Sequence, residues 1–500
     1  MSGTNTQPAD RVSGGPFLQE LDLPAAAAAE ASGDPLPGML TTGERALLSE
    51  VVRRTWRGEG AIVDGGSFLG ASLVAEARGL EANPVFADLA LARFPSGKPI
   101  HGYDRGHHPA PANPAAERSR TYGAVEYVLG ESFVPQLEET VAPHRDLIEL
   151  HIGDLTEMSW DGSPVELAFI DVCKTPDLNA HVSRQFYPAL IGGSSRLIHQ
   201  DFFFDRLPWI RVTMGYLADY FRWEGQVASS AVFTTLKAVP REVAAHDPFT
   251  EATLEECLAY HDAIEFPGID RTAQLMLALS RVHLMVHKGS GDRALEQLED
   301  TAVEFADILG AVARAEYAEP TPGGPESMLP GYRMDRAVTE VLKRTGAGAG
   351  AGAGAGSGAG AAKGAGRKPP SASEPPSELD RAKAALNRRD WVEARQILEP
   401  LREAEPRGPA ALMLARTELE SGHPEVAGEL LDAVLARRSR HERARVLRAR
   451  VHLVTGDHAA ARAEAEEALR TAPGMVAARR VIFDVAVAER TAARTGRPPT

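Results

Sequence analysis

The sequence predicts a doubly wound α/β sheet with a helical extension, followed by a separate all-α repeat domain. Three observations carry this. Between residues 40 and 240, short apolar runs alternate with amphipathic stretches, as βα units laid into a parallel sheet require. A run of glycine and alanine at 346–366, GAGAGAGAGAGSGAGAAKGAG, has no side chains able to form a core. Beyond it, Ala394, Ala427 and Ala461 recur at spacings of 33 and 34 residues, the period of a stacked helical array.

A chain of 500 residues is long enough for two or three domains. Its 43% hydrophobic and 25% charged residues match a globular protein. No run approaches the roughly 18 apolar residues of a membrane span, and MSGTNTQPADRVSGGPF lacks the basic start and apolar stretch of a secretory signal. Only Cys173 and Cys257 occur, which excludes a disulfide scaffold and a cysteine zinc finger. The cytoplasm is the expected compartment. Net charge is −15, divided as +5 over residues 381–500 and −20 over residues 1–380. An acidic body argues against general nucleic-acid binding, which needs positive surface.

Residues 1–38, rich in Pro, Ala and Gly, read as a poorly ordered leader. Residues 39–245 form the α/β domain. Its first helix is GERALLSEVVRRTW, its first strand AIVDGG, and its next helix GASLVAEARGL. Further strands are KPIHGYD, LIELHIGD, VELAFID, SSRLIHQD and SAVFTTLKAV. Residues 246–344 have helical periodicity with a glycine break near 289–291, and are expected to pack on the α/β domain. Residues 345–378 read as a flexible linker with a span of about 30 Å. Residues 379–490 are the repeats and 491–500 a tail. Gly422 and Gly456 each lie five residues before a repeat alanine; Pro406 and Pro473 close the outer units, with Ser439 in the middle one. This pattern resembles tetratricopeptide repeats, with Leu, Ala and Val at most aromatic positions, and implies a protein or peptide partner.

The strongest local signal is Asp64-Gly65-Gly66-Ser67-Phe68-Leu69-Gly70, between a strand and a helix. Gly66 and Gly70 let the backbone approach a ligand, and the helix start offers N–H groups to a carboxylate. A dinucleotide fingerprint needs Gly-x-Gly-x-x-Gly with a later acid; here the glycines are four apart and the acid precedes them, so a nicotinamide cofactor is not expected. Acids end the other strands of this sheet: Asp104, Gly153-Asp154, Asp171 and Asp201. Ligands of open α/β sheets bind along that edge.

The glycine turn and these strand-end acids resemble class I S-adenosylmethionine-dependent methyltransferases, a Rossmann-like fold. The resemblance implies S-adenosylmethionine as methyl donor, with Asp64, Gly65, Gly66, Ser67, Gly70 and Asp171 at the cofactor, Asp104 on the ribose, and Gly153 and Asp154 at the adenine. FIDVCKTPDLNAHVSRQFYPALIGGSSRLIHQDF is similar to the macrocin-type sugar O-methyltransferases, which implies a small-molecule or sugar-like acceptor. Where that branch holds a divalent metal on two adjacent acids, this chain has Gln200-Asp201; Asp171 and Asp201 remain as ligands for Mg²⁺. An acceptor hydroxyl must lose its proton, for which His199 is the first candidate base and Asp171 the second.

Plainer roles stand beside each assignment. Asp64 can cap its turn, Asp104 can pair with Arg105, Asp154 can start a short helix, and His199 can sit satisfied in a strand. His101, His107 and His108 lack a regular ligand spacing, Lys174 can be solvated or bind a carboxylate, and Phe202, Phe203, Phe204 and Trp209 suit core or pocket wall. Arg437, Arg438, Arg440, Arg443, Arg445, Arg448 and Arg450 can grip an acidic peptide or form a solvated face. Two further functions remain: a scaffold without turnover that acts through its repeats, and a protein methyltransferase whose substrate the repeats deliver.

Overall fold

The computed structural model describes residues 12–14, 16–33, 35–89, 91–108, 119–122, 125–309, 329–347, 377–405 and 409–496. Most of the linker and the first 11 residues lie outside these. The chain divides into two compact units, Met1–Lys288 and Gly289–Thr500.

The first unit is a mixed α/β structure. Its strands are β1 (Val12–Gly14), β2 (Ala61–Gly65), β3 (Ile100–Asp104), β4 (Ser119–Tyr122), β5 (Val125–Val128), β6 (Ile148–Ile152), β7 (Val165–Ile170), β8 (Arg196–His199), β9 (Phe221–Val227) and β10 (Ser230–Thr235). Eight of them form one sheet in the order β1-β9-β10-β8-β7-β2-β3-β6, and β4 and β5 form a separate hairpin. Strands β6, β3, β2, β7 and β8 are parallel neighbours, and β10 runs antiparallel to β8. The order therefore reverses at β2, with β3 on one side and β7 on the other. Such a switch point opens a crevice at the carboxyl ends of the strands.

Helices α1 (Pro16–Glu20), α2 (Leu23–Ser32), α3 (Thr42–Thr55), α4 (Ala71–Glu81), α5 (Val134–Val141), α6 (Pro176–Phe186) and α7 (Pro208–Tyr216) accompany the sheet, followed by α8 (Arg241–Ala245), α9 (Pro248–Glu251), α10 (Leu254–His261) and α11 (Arg271–His287). The central strands turn one apolar face to α3 and α4: Ile62, Ile100, Leu167, Phe169 and Ile198 are buried with Leu47, Val51, Leu73 and Leu80 of those helices. Helix α3 starts at a capping box, Thr41 with Glu44, as its T-x-x-E pattern requires.

The second unit is helical: α12 (Gly291–Glu304), α13 (Ala306–Leu309), α14 (Pro330–Ala347), α15 (Glu378–Asn387), α16 (Trp391–Ala404), α17 (Pro409–Glu420), α18 (Pro424–Leu435), α19 (Glu442–Val454), α20 (His458–Thr471) and α21 (Val476–Thr495). Helices α15 to α20 form three antiparallel pairs, and Ala394, Ala427 and Ala461 are each fully buried where the pairs pack. The inter-helix turns repeat bond for bond. Asp390, His423 and Asp457 donate their amides back to Ala385, Glu418 and His452, the six-residue loop of a Schellman turn. Such a loop needs a left-handed residue. Gly422 (φ 89°) and Gly456 (φ 82°) supply it in two units, and Arg389 (φ 59°) stands in their place in the first.

Three expectations change. Residues 12–33 are not a loose leader: β1 pairs with β9, and the carboxylate of Glu30 on α2 binds Arg45 and Arg78. The predicted extension is split at Lys288, so α11 belongs to the first unit and α12 to α14 to the second. Helices α12 and α14 pack on α21, tied by Arg480 to Asp335 at 2.5 Å and by Arg490 to Glu299 at 2.9 Å and Asp300 at 2.6 Å. The glycine/alanine segment thus joins helices of one unit, and the unit boundary falls at the glycine break near 289–291.

A side chain in the left-handed region costs roughly 1 kcal/mol. Arg389→Gly is therefore expected to stabilise the repeats by about that amount, measured by urea unfolding; an unchanged or lowered midpoint contradicts the equivalence of Arg389 with the two glycines.

Candidate functional site

The glycine turn after β2 stands at the switch point. Its amides are taken up by the neighbouring strand: Gly66 and Ser67 both donate to the Tyr103 carbonyl, at 2.8 and 3.3 Å. The Asp104 carboxylate completes the clamp, its Oδ2 accepting the Phe68 amide and its Oδ1 the Gly106 amide, both at 2.8 Å. Gly66 has φ 102°, and a Cβ there would lie 2.9 Å from the Asp171 carbonyl, so only glycine fits. Phe68 is held at φ 45°. Its ring packs among Phe133 and Tyr122 (5.0 Å each) and His108 (5.1 Å), which brings the β4–β5 hairpin over the turn.

Beneath the turn, acids are buried without cations. Asp64 is fully enclosed; Oδ1 accepts the Ser67 hydroxyl at 2.8 Å, and Oδ2 has no hydrogen bond of good geometry among the described residues. Burial pushes Asp64 up to about 7, against the pull of the Ser72 and Ser67 hydroxyls. Glu76 of α4 is also fully enclosed with neither oxygen hydrogen-bonded to a described residue, and burial reinforced by the Asp64 charge pushes it well above the carboxylate range. At a value of about 7, Asp64 is partly protonated near neutral pH. Glu76 escaped the sequence reading; an acid on the apolar face of a helix following the first strand was the available signal.

A narrow cleft of about 20 Å³, open to solvent, lies between this turn and residues 38–40, lined among others by Gly66, Ser67, Phe68, Ser72, Phe169 and Asp171. That is room for about one water molecule, well below the volume of small-molecule sites. Of the predicted cofactor residues, Gly66, Ser67 and Asp171 line it. Gly65, Gly70 and Asp64 shape it from behind, while Asp104 supports the turn. Gly153 and Asp154 stand two strands away. Asp154 starts a 3-10 turn, accepting the Thr156 hydroxyl at 2.7 Å and amide at 3.0 Å, bonds that hold it below the usual carboxylate range.

Asp171 and Asp201 share one partner. The Lys174 Nζ donates to Asp171 Oδ1 at 2.6 Å and to Asp201 Oδ2. Burial pushes Asp171 up to about 7 against the charge of Lys174, with Asp201 adding repulsion. Nearby, Gln200 donates to the Ser229 hydroxyl at 3.0 Å, and the Ser229 and Ser230 hydroxyls donate to Glu44 at 3.1 and 2.9 Å. Glu44 is thus committed twice, to its capping box and to this network.

His199 is corrected as candidate base. Its ring is fully enclosed, Nδ1 faces the Gln200 carbonyl at 3.2 Å, and Nε2 is buried without a described partner. Burial pushes it down to about 4, so it is neutral, and no acceptor reaches it in this arrangement. His101 faces His151 at 3.1 Å, on the strands away from His108. Among the described residues, no group of three Asp, Glu, His or Cys side chains converges on a metal position.

In the second unit the arginine cluster divides. Arg445 and Arg448 both hold Glu464, at 2.6 and 2.7 Å, and Arg448 also reaches Asp432 at 2.6 Å. Arg450 lies 3.7 Å from Glu420. Arg437, Arg438, Arg440 and Arg443 are exposed at the α18–α19 turn. Residues 412–476, from α17 to the start of α21, match the tetratricopeptide repeat family model. Residues 412–476 are a tetratricopeptide-repeat region. Stacked repeats of this kind present extended concave surfaces to protein partners. A search of curated proteins returns no match for the chain. Among the described residues, no helix is long and apolar enough to cross a membrane.

The raised Asp64 makes a pH prediction. Its folded value of about 7 exceeds the ordinary 3.8 of an aspartate, so the folded state binds more protons between those limits and loses stability as pH rises through them. Unfolding midpoints followed by tryptophan fluorescence should fall between pH 5 and 7.5, and Asp64→Asn should remove about 1 kcal/mol or more of that fall. An identical slope in the variant would mean that Asp64 ionises in the ordinary range.

Proposed function

We propose that the first unit is an S-adenosylmethionine-dependent methyltransferase acting on oxygen of a small-molecule or sugar-like acceptor, and that the repeat region binds the protein that locates it. The observation that carries this reading is the β2 turn: a glycine backbone at a sheet switch point, with Asp64 behind it, Asp104 clamping it and Asp171 across the pocket mouth. The turn leads directly into the amino end of α4, and a helix start is the element that suits the carboxylate of such a cofactor. The cofactor would be held by Gly66, Ser67, Ser72 and Asp171, and would supply a methyl group on a sulfonium.

The chain's own contribution is positional. An in-line displacement needs donor and acceptor held in alignment, and a rigid turn with enclosed walls does that. Asp171, the accessible acid with a value near 7, replaces His199 as the group able to take the acceptor proton. A second reading has its own support: the ring of Phe68 and the hairpin above it close over the turn, as they would in a scaffold without turnover.

Calorimetric titration of the full chain with S-adenosylmethionine and S-adenosylhomocysteine separates the two. The enzyme reading expects one site of micromolar affinity, weakened at least tenfold in Asp104→Asn, which loosens the Phe68 clamp. Absence of binding to the folded wild type would leave the scaffold reading.

A further inference from the structure

The carboxylate pair at the pocket edge has the composition of a metal site and the geometry of something else. Asp171 follows β7 and Asp201 follows β8, adjacent parallel strands, so their side chains meet at the sheet edge. The position between them is filled by the Lys174 Nζ, which binds an oxygen of each. Gln200, the third ligand that a metal would want, places its amide nitrogen on Ser229 in the Glu44 network, and its Oε1 is buried without a hydrogen-bond partner among the described residues.

The backbone holds this arrangement from several sides. Asp171 donates its amide to the Gly65 carbonyl at 2.6 Å, and Lys174 donates its own to Val172 at 2.7 Å. The Trp209 indole donates to the Cys173 carbonyl at 2.8 Å, and Thr175 caps α6. Asp201 sits in the left-handed region at φ 60°. Lys174 is therefore not a swinging surface lysine that happens to meet an acid: the residues before and after it are pinned.

We infer that Lys174 is the resident cation of this site: its ammonium stands where a divalent metal would, and an oxygen of a bound hydroxyl or carboxylate ligand binds that ammonium directly. An ammonium has three N–H donors, and the two carboxylates take two. The third serves the ligand, at a side chain that keeps 50% of its exposure. A divalent ion entering the same space would meet a fixed positive charge a few ångströms away, and Mg²⁺ draws carboxylate oxygens to about 2.1 Å, closer than an ammonium between them allows. The inference stands whether or not the pocket takes S-adenosylmethionine; cofactor titration of the same samples tests that reading separately.

The test is Mn²⁺ binding to the full chain, by calorimetry and by loss of the free-ion electron spin resonance signal. Wild type and Lys174→Arg, which keeps the charge, should show no stoichiometric Mn²⁺ site up to millimolar concentration. Lys174→Ala uncovers two unneutralised carboxylates and should bind one Mn²⁺ at least tenfold more tightly than wild type, an effect abolished by adding Asp201→Asn. One tight Mn²⁺ on wild type that is lost in Asp171→Asn would overturn the proposal. So would a folded Lys174→Ala with no gain in binding. Should Lys174→Ala not fold, the wild-type and Lys174→Arg titrations still decide whether the pair takes a metal.

Discussion

The Asp104 carboxylate ties the end of β3 to the turn that follows β2, and the carboxyl edge of the sheet depends on that tie. One oxygen fixes Phe68 and the other fixes Gly106. Hydrogen bonds from backbone amides to a charged acceptor are among the stronger ones available to a protein. Here they hold Phe68 in a conformation that L-residues rarely adopt. With Phe68 held, its ring anchors the aromatic cluster that carries the β4–β5 hairpin. With Gly66 held, the turn presses against the Asp171 backbone, so the two walls of the pocket are set by one contact on each side.

This edge collects negative charge, and its arrangement shows how a fold accommodates that without a basic face. Asp64 and Glu76 are enclosed, and burial raises both above the ordinary carboxylate value. Asp104 is neutralised by amide dipoles. Asp154 is tied to a short helical turn. Asp154 also meets Arg105, and Asp171 and Asp201 share Lys174. Each acid has a different local solution, and of these groups Asp171 lines the pocket.

The parallel strands, antiparallel β10 and the repeats were legible in the sequence because all follow from periodicity: short apolar runs for β2, β3, β6, β7, β8 and β10, and buried alanines at spacings of 33 and 34 for the helical pairs. What was not legible depends on distant partners. Strand β9 carries Arg222, Glu224 and Gln226 and reads as polar; it is a strand because β10 folds back beside it. Residues 12–14 are too short to announce a strand before β9 is known. The helices before the glycine/alanine segment look like an appendage of the sheet domain until α21, far along the chain, offers them Arg480 and Arg490. At the site, residue types and strand ends were readable, while occupancy was not: nothing in DVCK states that Lys174 turns back to Asp171 and reaches Asp201. His199 had a chemically suitable side chain at a suitable strand end, and burial removed it.

Hydrogen–deuterium exchange of the full chain, with and without S-adenosylhomocysteine, is the most direct test of the central claim that the clamped β2 turn is the ligand-binding element. The account predicts slow exchange for the Gly66, Ser67, Phe68 and Gly106 amides in the free protein, and added protection on ligand binding confined to residues 65–73 and 171–174. Fast exchange of those amides in the free protein, or ligand protection that bypasses the turn, would contradict it.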